Sequence, residues 1–221
     1  MSTVAPIVTG ALEPKADCGL CPRLAEFRTD NAAKFPDYFN APVPAFGPLD
    51  APLWIIGLAP GLKGANRTGR PFTGDYAGDL LYDTLVKFDF AEGRYEADPE
   101  DTLKLKTARI INAVRCVPPQ NKPVGAEINT CNQFLTAEFN RPEARPRVVI
   151  CLGTIAHAAT LAAMGYKKSH CKFGHAASHK LPNEIMLLDS YHCSRYNTNT
   201  GRLTTEMFED VFAIAKKALM A

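Results

Sequence analysis

No run of about eighteen consecutive apolar residues occurs in the 221-residue chain, so no segment reads as a membrane-spanning helix. Residues 1–17 lack the basic start and apolar centre of a secretory signal. A soluble, cytoplasmic protein without a membrane partner is expected, with a flexible arm over 1–17 and one domain over 18–221. Charge of one sign is also scarce. The formal net charge of +2 is too small to announce a nucleic-acid partner, and it does not exclude one, because phosphate affinity depends on local patches. Neither G-x4-G-K-[ST] nor G-x-G-x-x-G is present, which disfavours nucleotide-triphosphate chemistry. Without G-x-S-x-G there is no activated serine, and no histidine pair flanks a glutamate as in a zinc-protease helix. Internal repeats, low-complexity tracts and linkers are missing too. What remains, at 46% apolar residues, can bury one substantial α/β core.

Cysteine, by contrast, is plentiful. Seven cysteines without a secretory signal argue against a disulfide framework and toward metal binding. Cys18 and Cys21 form a C-x2-C pair, Cys116 and Cys131 a wider one, and together they could close a four-thiolate site. Cys151, inside the strand-like run Arg147–Gly153, reads as a small buried apolar residue, while Cys171 and Cys193 fit either use. A thioredoxin-type redox pair is disfavoured because no strand precedes Cys18.

Four apolar runs rich in branched residues read as strands: Leu53–Gly57, Ala108–Val114, Arg147–Leu152 and Glu184–Leu188. Helical spacing fills the intervals, from about Pro22, over Gly78–Phe88, Ala126–Phe139 and Thr154–Met164, and over Glu206–Leu219 at the end. This alternation predicts a parallel sheet covered on both faces, with ligands received at the carboxyl ends of its strands. Three unusual loops fall at those ends: Leu58–Asp75, Cys116–Gly125 and Tyr191–Arg202.

The first loop is far longer than an ordinary connection, which points to chemistry rather than linkage. It presents Asn66, Arg67, Arg70, Phe72 and Asp75, a mixture suited to a flat polar ligand. Phe72 also fits a core aromatic, and Asp75 a helix N-cap. His192 stands at a strand end among polar neighbours, as a catalyst or as a structural histidine. The segment Gly165–Lys180 carries four lysines, three histidines and no acid. With Arg67, Arg70, Arg195 and Arg202 it makes phosphate-backbone contact reasonable, although solvated charge alone would look the same.

The motifs GLAPG, GANRTGRPFTGD, RCVPPQNKP and YHCSRYNTNTGRLT, in that order and at strand ends, resemble the uracil-DNA glycosylase superfamily, most closely its family 5, the type B enzymes. The resemblance spans Cys18 to about Leu203. It implies a three-layer α/β/α fold with a four-stranded parallel sheet, and a [4Fe-4S] cluster on Cys18, Cys21, Cys116 and Cys131. The implied activity of this monomer is hydrolysis of the N-glycosidic bond of uracil in DNA, after the nucleotide is flipped out of the duplex. Other deaminated bases, hypoxanthine and xanthine, are implied as further substrates.

By the same resemblance Phe72 would stack on the flipped base, Asn112 or Asn121 would read its edge, and His192 would bond its carbonyl oxygen. Leu58-Ala59 stands where many members carry a polar residue, so Ala59 cannot orient water and Asp75 becomes the nearest carboxylate, stabilising the sugar cation or positioning water. Arg67 and Arg70 would meet the DNA, and so would a loop over Arg195–Thr200 with Arg195, Asn197 and the wedge-like Tyr196. A contrasting possibility is a non-catalytic iron-sulfur or zinc protein that binds nucleic acid.

Overall fold

Side-chain alternation along short apolar strands sets the architecture of the computed structural model, which describes residues 13–221. After helix α1 (Pro22–Lys34), strand β1 (Leu53–Gly57) runs through the centre with all five residues buried. The loop beyond it carries a short helix α2 (Ala65–Thr68) and leads to α3 (Tyr76–Lys87). A hairpin of β2 (Ala91–Glu92) and β3 (Lys104–Leu105) precedes β4 (Ala108–Asn112) and α4 (Gly125–Phe139). Then follow β5 (Val148–Leu152), α5 (Thr154–Ala163), β6 (Ser178–Lys180), β7 (Met186–Ser190), α6 (Arg195–Asn199) and α7 (Thr205–Met220).

β1 pairs in parallel with β4 on one side and β5 on the other, and β5 pairs in parallel with β7. Leu53, Ile55, Ile110, Ile150 and Leu188 meet Leu81 and Leu85 of α3 and Phe208 and Phe212 of α7. Trp54, Ile56, Ile111 and Val149 belong to a second core with Leu135 of α4 and Leu161 of α5. Cover on both faces is why β1 and β5 read as unbroken apolar runs, while β4 and β7 also bury Arg109 and Asp189, and each buried aliphatic side chain contributes about 1.5–3 kcal/mol.

The sheet has five strands, ordered β4-β1-β5-β7-β6, rather than the expected four. The extra strand, β6, is antiparallel to β7 and joined to it by a tight turn in which the Glu184 amide donates to the Leu181 carbonyl. Glu184 itself has φ +66°, so the fourth predicted strand starts at Met186 and runs to Ser190. The chain leaves β1 for β4 and returns past it to β5, so the winding reverses between β1 and β5. That gap is where sheets of this kind receive ligands.

Residues 1–12 of the expected arm lie outside the described residues. Its end is not loose: Glu13 accepts a hydrogen bond from the Ala45 amide at 2.8 Å and pairs with Arg115 at 2.9 Å. Arg115 and Arg109 are both clamped by the fully buried Glu138 of α4. This ionic cluster holds the loop after β4 against α4. Among the described residues no helix is long and apolar enough to cross a membrane.

Candidate active site

A cleft of about 800 Å³ opens at the ends of β1, β5 and β7, across the reversal in winding. Leu58, Ala59 and Asp75 line it from the first loop, Asn121 from the second, and His192, Ser194 and Arg195 from the third. Gly153 and Thr154 close it at the head of α5, and Phe173 forms part of its wall. The junction Leu152-Gly153-Thr154 was visible in the sequence as a strand turning into a helix. Phe173 carried no such signal, because only tertiary contacts bring it to the cleft.

Asp75 occupies the N-cap position of α3 but accepts no capping bond. Instead its carboxylate turns back over the first loop, where a Cβ at Gly64 would collide with Oδ2. Oδ1 is buried with no hydrogen-bond partner among the described residues. Burial raises the pKa of this carboxyl; the Ala77 and Gly78 amides oppose the shift, and the Asp79 carboxylate adds to it. Across the cleft, His192 has a sealed Nδ1 without a partner among the described residues. Burial pushes its pKa down to about 4, so the ring is neutral at pH 7. Asn197 donates from Nδ2 to the His192 carbonyl at 2.8 Å, and the Cys193 thiol bonds the Ala77 carbonyl, tying the end of β7 to the head of α3.

Phe72 is buried at 6% exposure and stacks on His192, ring centroids 5.9 Å apart. Its φ of +54° is left-handed, and its carbonyl approaches α3 so closely that a Cβ at Gly78 would overlap it. Phe72 is thus both a core aromatic and the backing of the imidazole. The two amide candidates separate. Asn112, the last residue of β4, is buried with Oδ1 unpartnered among the described residues, beside Phe72 and outside the cleft lining. Asn121 is exposed at the cleft, and it follows Gln120 with both residues in the left-handed region at φ +57° and +56°.

Three expectations for DNA contact need correction. Arg70 is buried, donates to both Asp101 oxygens at 2.8 and 2.7 Å, and sits among the rings of Phe46, Tyr82 and Tyr95. A guanidinium paired, buried and caged in this way anchors the first loop and is turned away from phosphate. Asn197 turns inward to the cleft and gives one Nδ2 hydrogen to the His192 carbonyl. Arg195–Asn199 is a helical turn rather than a loop, because Ser194 caps it by accepting from the Asn197 amide. Arg67 is exposed, Arg195 lies over the Tyr76 ring at 5.4 Å, and Tyr196 projects from α6 with 73% of its surface exposed.

Cys18, Cys21, Cys116 and Cys131 line one small pocket between α1, the end of β4 and α4. Leu24, Val114 and Phe134 supply its apolar walls. Arg28, 7% exposed, donates from Nη1 to the Cys116 sulfur and from Nη2 to the Cys18 carbonyl, each at 3.0 Å. The Arg115 amide donates to the Cys131 sulfur at 3.3 Å. Among the described residues Arg28 pairs with no carboxylate. Burial raises the pKa of the Cys21, Cys116 and Cys131 thiols, whereas a buried cation whose acceptors are a sulfur and a carbonyl favours negative charge on them, as metal-bound thiolates would supply. The donor set suits a thiolate-held metal group in chemistry, although among the described residues the side chains do not stand in metal-holding positions.

An open, mostly parallel sheet with a half-buried carboxylate and a neutral imidazole across one cleft defines an α/β protein that takes a polar ligand at its strand ends. The family model described as the Uracil DNA glycosylase superfamily matches residues 44–216. The chain belongs to that superfamily. A protein of Thermus thermophilus named type-5 uracil-DNA glycosylase is 44% identical over 206 residues, covering 90% of this chain and 93% of its own. Proteins of the same name from Mycobacterium tuberculosis and Pyrobaculum aerophilum are 40% and 34% identical, over 90% and 88% of this chain and 77% and 86% of theirs.

Proposed function

We propose that this protein excises uracil from DNA by hydrolysing the N-glycosidic bond. One observation carries the reading: Asp75 and His192 line the same cleft, and each holds a buried polar atom that lacks a partner among the described residues. Buried polar atoms left unpaired cost stability, and they persist where a ligand completes them.

The nucleotide must leave the stack to reach such a cleft. As the glycosidic bond breaks, its electron pair moves onto the base. His192, neutral and backed by Phe72, bonds the base carbonyl where that charge gathers, and Asn121 reads the base edge. The Asp75 carboxylate stabilises the cationic sugar and orients the water that adds to C1′, whose proton ends on the departing base. Arg67 and Arg195 meet phosphates, and Tyr196 fills the vacated stack. Ala59 leaves the cleft without a strict polar reader, which supports hypoxanthine and xanthine as further substrates.

Cys18, Cys21, Cys116 and Cys131 would hold a [4Fe-4S] cluster. Bound there, it would serve to cross-link α1 and the loop after β4, since hydrolysis needs no electron transfer. A protein that keeps four thiolates for a metal group suits the reducing cytoplasm as its compartment. The protein is taken to act as a monomer.

Purified protein should leave an alkali-labile abasic site in duplexes bearing one uracil. No such site would end the reading, and a panel of deaminated bases in single and double strands defines its breadth. Activity should fall on the acid side at a pH above the ordinary carboxylate range, because the raised Asp75 pKa neutralises the carboxylate early as pH drops. A kcat profile flat down to about pH 4 would contradict an ionised Asp75.

A further inference from the structure

His157 of α5 lies behind the cleft wall and takes no part in the chemistry above. Its Nδ1 is 2.8 Å from Oδ1 of Asp189, a fully buried residue of β7, and its Nε2 is 3.2 Å from the Cys171 carbonyl. Carboxylate and carbonyl oxygens only accept hydrogen bonds. Both contacts are satisfied together only if both ring nitrogens carry protons. A neutral imidazole has one N–H and would leave one acceptor unpaired in the core.

Asp189 also holds the strap of residues 171–177, through one carboxylate oxygen and its own backbone. The Gly174 amide donates to Asp189 Oδ2 at 3.4 Å, the Ala176 amide donates to the Asp189 carbonyl at 2.8 Å, and the Asp189 amide donates to the Ala177 carbonyl at 2.9 Å. Phe173 of this strap lines the cleft and meets the His157 ring edge-on at 5.7 Å. His175 stacks on Tyr191, a second cleft residue, at 5.0 Å. The other titratable groups facing the pair are His179 of β6, 3.9 Å from Asp189 Oδ2, the Cys151 thiol of β5 and the Cys171 thiol of the strap.

We propose that His157, as an imidazolium bridging Asp189 and the Cys171 carbonyl, is a positioning residue that fixes the 171–177 strap and with it the Phe173 wall of the base cleft. The pKa of His157 is raised: burial lowers it, and the bonds to Asp189 and Cys171 outweigh that effect. The bridge is therefore intact below the raised pKa and loses one bond as pH climbs through it. Phe173 packs its ring against His157 and Tyr191, neither assigned to bond cleavage, so a loosened wall changes how well the flipped nucleotide is held, not the chemical step.

Nitrogen-15 NMR of the His157 ring in the wild-type protein should show both nitrogens protonated at pH 7; a neutral ring would overturn the proposal without bearing on uracil excision. The kinetic arm rests on that excision, and a wild-type enzyme that leaves uracil in place would refute the function rather than the bridge. Phe173→Ala and His157→Gln should each raise KM for uracil-containing duplex about fivefold, the size of one lost aromatic contact, with kcat within about twofold. An effect of Phe173→Ala without one of His157→Gln would refute positioning, and unchanged KM in both would refute the wall. If His157→Gln does not fold, the wild-type pH profile decides: KM must rise as the ring deprotonates, and a KM flat through that titration overturns the bridge.

Discussion

Replacing Asp75 with alanine is expected to lower kcat on a uracil-containing duplex by about 10²–10³-fold, while leaving affinity for an abasic duplex within about threefold. The split follows from what the carboxylate does. Its side chain makes no capping hydrogen bond, so its removal costs α3 only the favourable field of the Ala77 and Gly78 amides, and in the proposed mechanism its charge matters most when the sugar becomes cationic. Stability should move the other way. A carboxyl whose pKa is higher in the fold than in the unfolded chain weakens the fold wherever it is ionised; that penalty is full above the folded pKa and vanishes below the unfolded one. Asp75→Asn should therefore hold or raise Tm at neutral pH. Equal losses in turnover and abasic-site binding, accompanied by a fall in Tm, would instead mark Asp75 as a structural cap.

Cys116→Ala is expected to lower Tm by about 10 °C or more and to abolish visible absorbance. Two losses combine. A metal group seated only in the folded protein contributes its binding energy to folding, and that contribution disappears with a ligand. Arg28 is then left buried without its sulfur acceptor, and an uncompensated buried charge alone costs about 3–5 kcal/mol. Thermal melts and absorbance spectra of both proteins test the expectation. A colourless, zinc-loaded wild-type preparation would remove the cluster, and a variant with unchanged Tm and colour would remove Cys116 from the ligand set.

β1 and β5 were legible because burial on both faces leaves no polar residue to interrupt them, and β4 and β7 from their apolar stretches beside Arg109 and Asp189. β6 was hidden for the opposite reason: Ser178, His179 and Lys180 form a short polar edge whose only mark is its pairing with β7. The turn at Glu184 was hidden as well, because left-handed backbone at a non-glycine residue has no compositional sign. α6 is too brief for periodicity, and Thr198 and Asn199 are weak helix formers that stay helical behind the Ser194 cap. At the site, Asp75 and His192 were readable from their loops. Arg70 was misread because Asp101 and the aromatic rings that enclose it come from distant parts of the chain. Sequence put Asn112 first by resemblance and Asn121 second, and depth reverses that order: one ends a buried strand outside the cleft lining, the other sits on an exposed turn at the cleft.

The docking of α1 bears on the order in which this protein is made. Leu24 packs on Val114 and Phe134, Arg23 pairs with Glu127 of α4 at 2.7 Å, and Arg28 reaches Cys116, so these anchors all lie on segments translated much later. The seat of α1 is therefore incomplete until those segments have been made. The proposed cluster, if held by Cys18 and Cys131 together, would not be completed until α4 had emerged, and its insertion would then await more than half of the polypeptide.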